Sequence, residues 1–319
     1  MGERDPMPAE SGRDGFIIIA VLWMVIALAT LASIYSVYIS NTAMALSVSD
    51  DTLQAELLTT TSLELTAYQF SSKNANDAQD AKSSRPSRGG FRFRAGSANV
   101  GVTFISEAAR IDLNTAPDAM LAGLFAAFGV KSDDAVEYAN RIVGWRSPAP
   151  KDQGTSDEDG LYRSAGLNYS PRGGPFAHVD ELWLVYELPP ALVERIMPFV
   201  TVYSGLPKVN VRDAAPEVIA ALPGMTPALL NSFLDKRESG PIDEQSLQGL
   251  LGPDQAAAAT TESSDTYRVQ VQIAFDNGRR VASEAVILTG TDDVPYHVLY
   301  WRDDAGNGPG QLRTGMGLR

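Results

Sequence analysis

The chain has 319 residues, 44% of them hydrophobic, enough for one membrane helix and one or two globular units. A formal net charge of −13 argues against a nucleic-acid grip, which needs a basic surface. Cysteine is absent, so neither disulfides nor thiolate chemistry is available, and the two histidines, His178 and His297, lie far apart in sequence.

Residues 1–15 read as a polar leader, carrying Glu3, Asp5, Glu10 and Asp14 against Arg4 and Arg13. Gly15-Phe16-Ile17-Ile18-Ile19-Ala20 then opens an apolar run, and no Asp, Glu, Lys, Arg or His occurs from Gly15 to Ser49. Residues 16–36 at helical rise cover about 30 Å, the thickness of a hydrocarbon core. Three fates compete for this transmembrane segment. A signal peptide would use a small-x-small site, which Ala43-Met44-Ala45 supplies, but the acidic leader and the long apolar run fit it poorly. An uncleaved anchor is the plain alternative. The third fate is favoured: a polar leader, Gly, Phe and a long hydrophobic run resembles the class III signal of type IV pilins and pseudopilins, cut between Gly15 and Phe16.

No Gly or Pro occurs between Phe16 and Arg85, and Val37, Met44, Val48, Ala55, Leu58 and Leu65 recur near helical spacing. One helix over 16–70, about 80 Å long, is expected. Residues 71–96 read as a linker, with Pro86 and Gly89-Gly90 as breakers. Strand alternation follows at Val100, Val102 and Phe104. It returns at Tyr267, Val269, Val271, Ile273 and Phe275, ahead of the hairpin signal Asp276-Asn277-Gly278. A return strand to about Leu288 and one more from Val294 to Trp301 complete a β body over 97–110 and 266–302, with residues 303–319 a disordered tail.

Between these strands, residues 111–265 form an α-helical insertion with an internal repeat, 111–205 and 206–255. Ile111-Asp112-Leu113-Asn114-Thr115-Ala116 aligns without gaps on Val209-Asn210-Val211-Arg212-Asp213-Ala214. Leu121-Ala122-Gly123-Leu124 likewise matches Ile219-Ala220-Ala221-Leu222. Leu222-Pro223-Gly224-Met225-Thr226-Pro227 is a tight turn of the kind found in helix-hairpin-helix and SAM-like modules, and a membrane-anchored DNA-binding or DNA-uptake protein is therefore the alternative function. Against it, the second hairpin glycine is missing and Pro227 has no N–H. Lys208, Arg212, Lys236 and Arg237 are also outnumbered by neighbouring acids. Asp152, Asp157, Glu158 and Asp159 form an acidic loop that offers hard oxygen ligands for Ca²⁺ but lacks EF-hand spacing, and a solvated loop is the favoured reading. No nucleophile elbow, phosphate-binding loop or zinc-protease motif occurs, so an assembly component rather than an enzyme is expected.

Along most of its length the chain resembles the protein K family, the large minor pseudopilins of the type II (general) secretion pathway. The resemblance rests on Gly15-Phe16 and its helix, on Glu107 through Asn114 into Thr115-Ala116-Pro117, and on Gly144-Trp145. It continues through Tyr169 to Phe176 before Val179-Asp180-Glu181-Leu182, and ends on Val298-Leu299-Tyr300-Trp301-Arg302. It implies an α+β fold: a pilin-like long N-terminal transmembrane helix and antiparallel sheet with the helical domain inserted. It also implies cleavage and N-methylation at Phe16 by prepilin peptidase, an inner-membrane anchor and a periplasmic body. The implied partners are the other minor pseudopilins, the major pseudopilin and the inner-membrane secretion platform, with no nucleic acid. Relatives carry an Asp-rich, calcium-associated segment after the Trp145 equivalent. Here Trp145-Arg146-Ser147-Pro148-Ala149-Pro150 stands there instead, so part of that ligand set is missing. Major pilins and pseudopilins have Glu at the fifth mature position; this chain has Ala20, a pattern the resemblance associates with the filament tip. The acidic leader departs from the usual basic start, so the orientation follows from the resemblance more than from the positive-inside rule. N-terminal sequencing of membrane-extracted protein separates the three fates: Phe16 marks a pseudopilin, Leu46 a signal peptide and Met1 an ordinary anchor.

Overall fold

The computed structural model describes residues 14–74, 86–148, 157–290 and 294–303. Two compact units emerge, Met1–Leu57 and Leu58–Arg319. Helix α1 (Asp14–Asn74) contributes to both. The second unit continues with β1 (Arg88–Ala95), β2 (Ala98–Ser106) and β3 (Ile111–Asp112). Helices α2 (Asp118–Ala127), α3 (Ser132–Arg146), α4 (Asp157–Ser164) and α5 (Pro190–Ile196) lead to β4 (Val200–Thr201) and β5 (Val209–Asn210). Helices α6 (Pro216–Ala220), α7 (Pro227–Ser239), α8 (Glu244–Leu250) and α9 (Pro253–Ala257) follow. Strands β6 (Ala259–Thr260), β7 (Thr266–Phe275), β8 (Arg280–Thr289) and β9 (Tyr296–Asp303) close the described chain.

The main sheet is antiparallel throughout, in the order β1-β2-β7-β8-β9. Its strand β1 corrects the reading of 71–96 as a linker: α1 runs on to Asn74, and Arg88–Ala95 pairs along its length with β2. The breakers misled because β1 is an edge strand. Gly89 packs under the ring of Phe104, where a Cβ would come within 2.6 Å of it, and Arg88, Arg92 and Arg94 are exposed on the opposite face of the strand, where Arg88 meets Asp213 of the insertion at 3.8 Å. The Asp276-Asn277-Gly278 turn joins β7 to β8 as expected, with Gly278 at φ +89°. Strand β9 extends to Asp303, inside the segment read as tail; residues 304–319 lie outside the described residues.

Within the second unit, α1 packs on one face of this sheet. Phe70 stacks on Tyr267 at 4.2 Å and meets Phe104 edge-on at 5.1 Å. The buried stripe is Thr59, Ser62, Leu63, Thr66, Ala67 and Phe70, whereas Leu65 is exposed and Leu58 half-buried. This corrects the expected apolar face at Leu65, while Ala55 of that face is buried. The side chains of Met44 and Val48 lie outside the described residues, and Val37 is exposed. Polar residues can occupy the stripe because Ser62 donates to Leu58 O and Thr66 to Ser62 O, both at 2.7 Å, so neither hydroxyl is stranded.

The insertion between β2 and β7 repeats hydrogen bond for hydrogen bond. Leu113 N donates to Thr201 O across the parallel β3–β4 pair at 2.8 Å, and Val211 N donates to Thr260 O across β5–β6 at 3.1 Å. Asn114 N donates to Asp112 Oδ1 and Arg212 N to Asn210 Oδ1. Tyr203 N and Glu262 N donate to Thr201 Oγ1 and Thr260 Oγ1, each at 3.1 Å. The second copy therefore reaches β6, beyond the expected end at 255; the short strand carries too little pattern to be read from sequence. The matched residues Gly123 and Ala221 meet where α2 crosses α6, and one apolar core runs through both copies.

Where the insertion leaves the sheet, Glu107 is fully buried in a 3₁₀ turn capped by Ser106. Arg268 on β7 grips it through Nε–Oε1 at 2.8 Å and Nη2–Oε2 at 3.2 Å, and Thr201 donates to it from β4. Arg268 Nη1 also donates to Glu284 on β8 at 2.6 Å. Burial alone pushes the Glu107 carboxyl up, but Arg268, Arg110 and the hydrogen bonds from Arg268 and Thr201 together hold it below its ordinary 4.5. Glu284 is lowered too, with burial opposed chiefly by Arg268. Carboxyls depressed in this way stabilise the fold above the unfolded value, and that contribution is lost as pH falls through the folded value.

Two outcomes follow. A Cβ at position 123 would lie 2.2 Å from Ala221 O, so Gly123→Ala should lower the unfolding free energy by about 1–3 kcal/mol, read as a lower urea midpoint with the slope unchanged. Glu107→Gln should cost roughly 3–5 kcal/mol at pH 7 and flatten the loss of stability below pH about 4.5, read by urea melts across pH.

Candidate functional site

In the first unit, Ile17–Thr42 is a 26-residue span of mean hydropathy 2.7 with none of its side chains buried. Gly15 and Phe16 lie in the first turns of α1; the side chain of Phe16 and residues 1–13 are outside the described residues. Ala20 sits on this exposed apolar helix with no carboxylate of its own. Thr30, Ser33 and Thr42 are among the polar residues of the span that would be costly in lipid. Each donates to the carbonyl four residues back, to Ile26 O at 2.8 Å, Ala29 O at 2.9 Å and Tyr38 O at 2.9 Å. With these three hydroxyls bonded inside the helix, they suit the apolar surrounding of a single-pass membrane anchor.

The acidic segment is divided by the fold. Asp152 lies outside the described residues, and Asp157 opens α4 with its side chain likewise outside them. Glu158 faces Arg141 of α3 at 3.5 Å, and the same guanidinium meets Glu137 and Glu187 at 2.9 Å and lies over the ring of Tyr186. Burial, with Glu187 nearby, outweighs Arg141 and raises the Glu158 carboxyl. Asp159 pairs with Arg163 at 2.8 Å and accepts from Ser170. Among the described residues, no three His or acidic side chains gather as a metal would require. The carboxylates that are described thus face arginines. His178 accepts from Asp180 N and lies against Tyr300, while His297 sits on β9.

The two hairpins of the insertion share their geometry, with Gly129 at φ +87° and Gly224 at φ +69° before the capping positions Lys131 and Thr226. Their next amides turn inward: Val130 N donates to Phe125 O and Met225 N to Leu222 O. Arg237, a phosphate contact in the DNA-binding alternative, donates to Val211 O and Ala214 O at 3.2 and 2.7 Å. Arg146 does the same for Leu113 O and Ala116 O, the matched residues of the first copy. Sequence reasoning missed this pair of clamps. Its signal was present, an arginine near the end of the second helix of each copy.

Residues 104–205, from the end of β2 through the first copy of the repeat, match the family model described as type II secretion system protein K. A chain of the GspK-GspI-GspJ complex from the enterotoxigenic Escherichia coli type 2 secretion system shares the fold, with TM-score 0.55 and 16% identity. The alignment covers 80% of this chain and 97% of that one. A search of curated proteins finds no match. The chain is thus similar to type II secretion system protein K over residues 104–205, and that segment is part of an α+β body that follows one apolar N-terminal helix.

Proposed function

We propose that this chain is a minor pseudopilin of a type II secretion system, which caps and nucleates a periplasmic pseudopilus that drives folded proteins across the outer membrane. The carrying observation is Ala20. Cleavage between Gly15 and Phe16 by prepilin peptidase, followed by N-methylation of Phe16, would leave an ammonium flush with an apolar helix that has no charge as far as Ser49. An ammonium buried among packed apolar helices is costly unless a neighbour supplies a carboxylate. A subunit with Ala at the fifth mature position supplies none, which is tolerable where no further subunit needs pairing, at the tip.

On this reading the Ile17–Thr42 span is fixed in the inner membrane and the sheet and insertion lie in the periplasm. The related complex joins GspK to GspI and GspJ, so the other minor pseudopilins are the nearest partners, with the major pseudopilin and the inner-membrane platform behind them. The chain acts by assembly, not by catalysis. Nucleic acid is disfavoured because the hairpin amides are already paired, Arg237 is committed to carbonyls, and 23 acidic residues face 12 basic ones between positions 107 and 265. Deleting the gene should abolish export of folded enzymes and leave DNA uptake unchanged; lost uptake with intact export would favour the DNA-binding reading. Ala20→Glu should still partition fully into the membrane fraction, because a single carboxyl can be protonated in an otherwise apolar span.

A further inference from the structure

The two edges of the main sheet are built differently. Edge strand β1 carries Arg88, Arg92 and Arg94, and charge of this kind discourages pairing with a foreign strand. Edge strand β9 has Val298, Leu299, Tyr300 and Trp301 in a row, and Val298, Leu299 and Trp301 are 46%, 41% and 37% exposed. Val298 and Trp301 stand opposite Ile287 and Ala285, on the α1 side of the sheet, where Tyr296 reaches Glu64. Tyr300 and Arg302 stand opposite Val286 and Glu284, on the insertion side, and a register shift separates Val298 from Tyr300.

Among the described residues at this edge, three guanidinium groups, Arg110, Arg268 and Arg302, share two carboxylates, Glu107 and Glu284. Arg268 uses both carboxylates at close range, leaving Arg302 half-exposed and 3.6 Å from Glu284. Burial and the neighbouring Arg268 lower the Arg110 guanidinium to about 10. Asp303 does not fill the gap, because it lies on the α1 side and accepts from Ser283 and Trp301.

We infer that the open edge of β9 receives an extended segment of another pseudopilin by strand addition. That segment presents apolar side chains to Val298 and Trp301 and a carboxylate to Arg302. The inference rests on the pseudopilin reading and names the surface through which it operates. The backbone of an edge strand supplies affinity to any extended peptide, while the apolar row and the half-exposed Arg302 guanidinium, which shares Glu284 with Arg268, select the partner's side chains.

The test is hydrogen exchange of the full chain in detergent, alone and co-purified with the other minor pseudopilins of its own secretion system. Amides of residues 296–303 should exchange at least about tenfold more slowly in the complex, with those of residues 88–95 unchanged. Trp301→Lys and Arg302→Glu should each weaken the complex by about tenfold while the melting temperature stays within a few degrees. A complex that forms with β9 exchange unchanged overturns the inference and leaves the pseudopilin reading standing. No complex at all overturns both. Protection of β9 already present in the isolated chain, whether from its own residues 304–319 or from a second copy, also overturns it.

Discussion

A guanidinium buried in a protein must be matched, and Arg268 is matched from two directions. Glu284 comes from the next strand of the sheet and Glu107 from the first turn of the insertion. The second partner joins two structures that sequence separates widely, a pilin-like sheet and a block of helices threaded between two of its neighbouring strands. Thr201 ties the same carboxylate to the first repeat. At the return crossing, Ser264 contacts Ser106 at 3.0 Å and Thr266 donates to Tyr203 O at 2.8 Å. Removing water from these groups raises the penalty for any misfit, so the insertion has one way to sit on the sheet.

The insertion uses one plan twice. A short parallel strand pair, a helix hairpin and a terminal arginine that closes over the preceding loop recur in both copies. The copies meet at Gly123 and Ala221, where only a residue without a side chain admits the neighbouring backbone. A helix-hairpin-helix scaffold need not bind nucleic acid. Here its hairpin amides and its arginines have been taken up by the fold itself. The matched family segment covers the first copy, so that copy carries the family likeness while the second supports it in the shared core.

The features legible in the sequence were those set by local periodicity or by repetition: the apolar N-terminal run, the alternating strands β2 and β7, the Asp276-Asn277-Gly278 hairpin and the ungapped alignment of the two copies. Features that depend on distant partners were not legible. Strand β1 looked like a linker because Gly89 fits beneath Phe104 and its arginines need no core. The buried stripe of α1 was hidden by Thr59, Ser62 and Thr66, small polar residues at home against a sheet once their hydroxyls are bonded locally. Glu107 looked like part of a family motif, and nothing local marks it as the partner of a residue 161 positions away. Glu158 and Asp159 looked like possible ligands because their arginines come from α3 and from the next turn of α4.

Charge also governs the N-terminal helix. A filament built on apolar helices can hold buried ammonium groups only where each finds a carboxylate, and a chain with Ala20 breaks that rule for one neighbour. Such a subunit fits a terminus and would be a defect anywhere else. Quantitative mass spectrometry of isolated pseudopili, with this chain counted against the major subunit, tests that placement most directly. One copy per filament, located at the end distal to the membrane, is the predicted result; many copies distributed along the filament would contradict it.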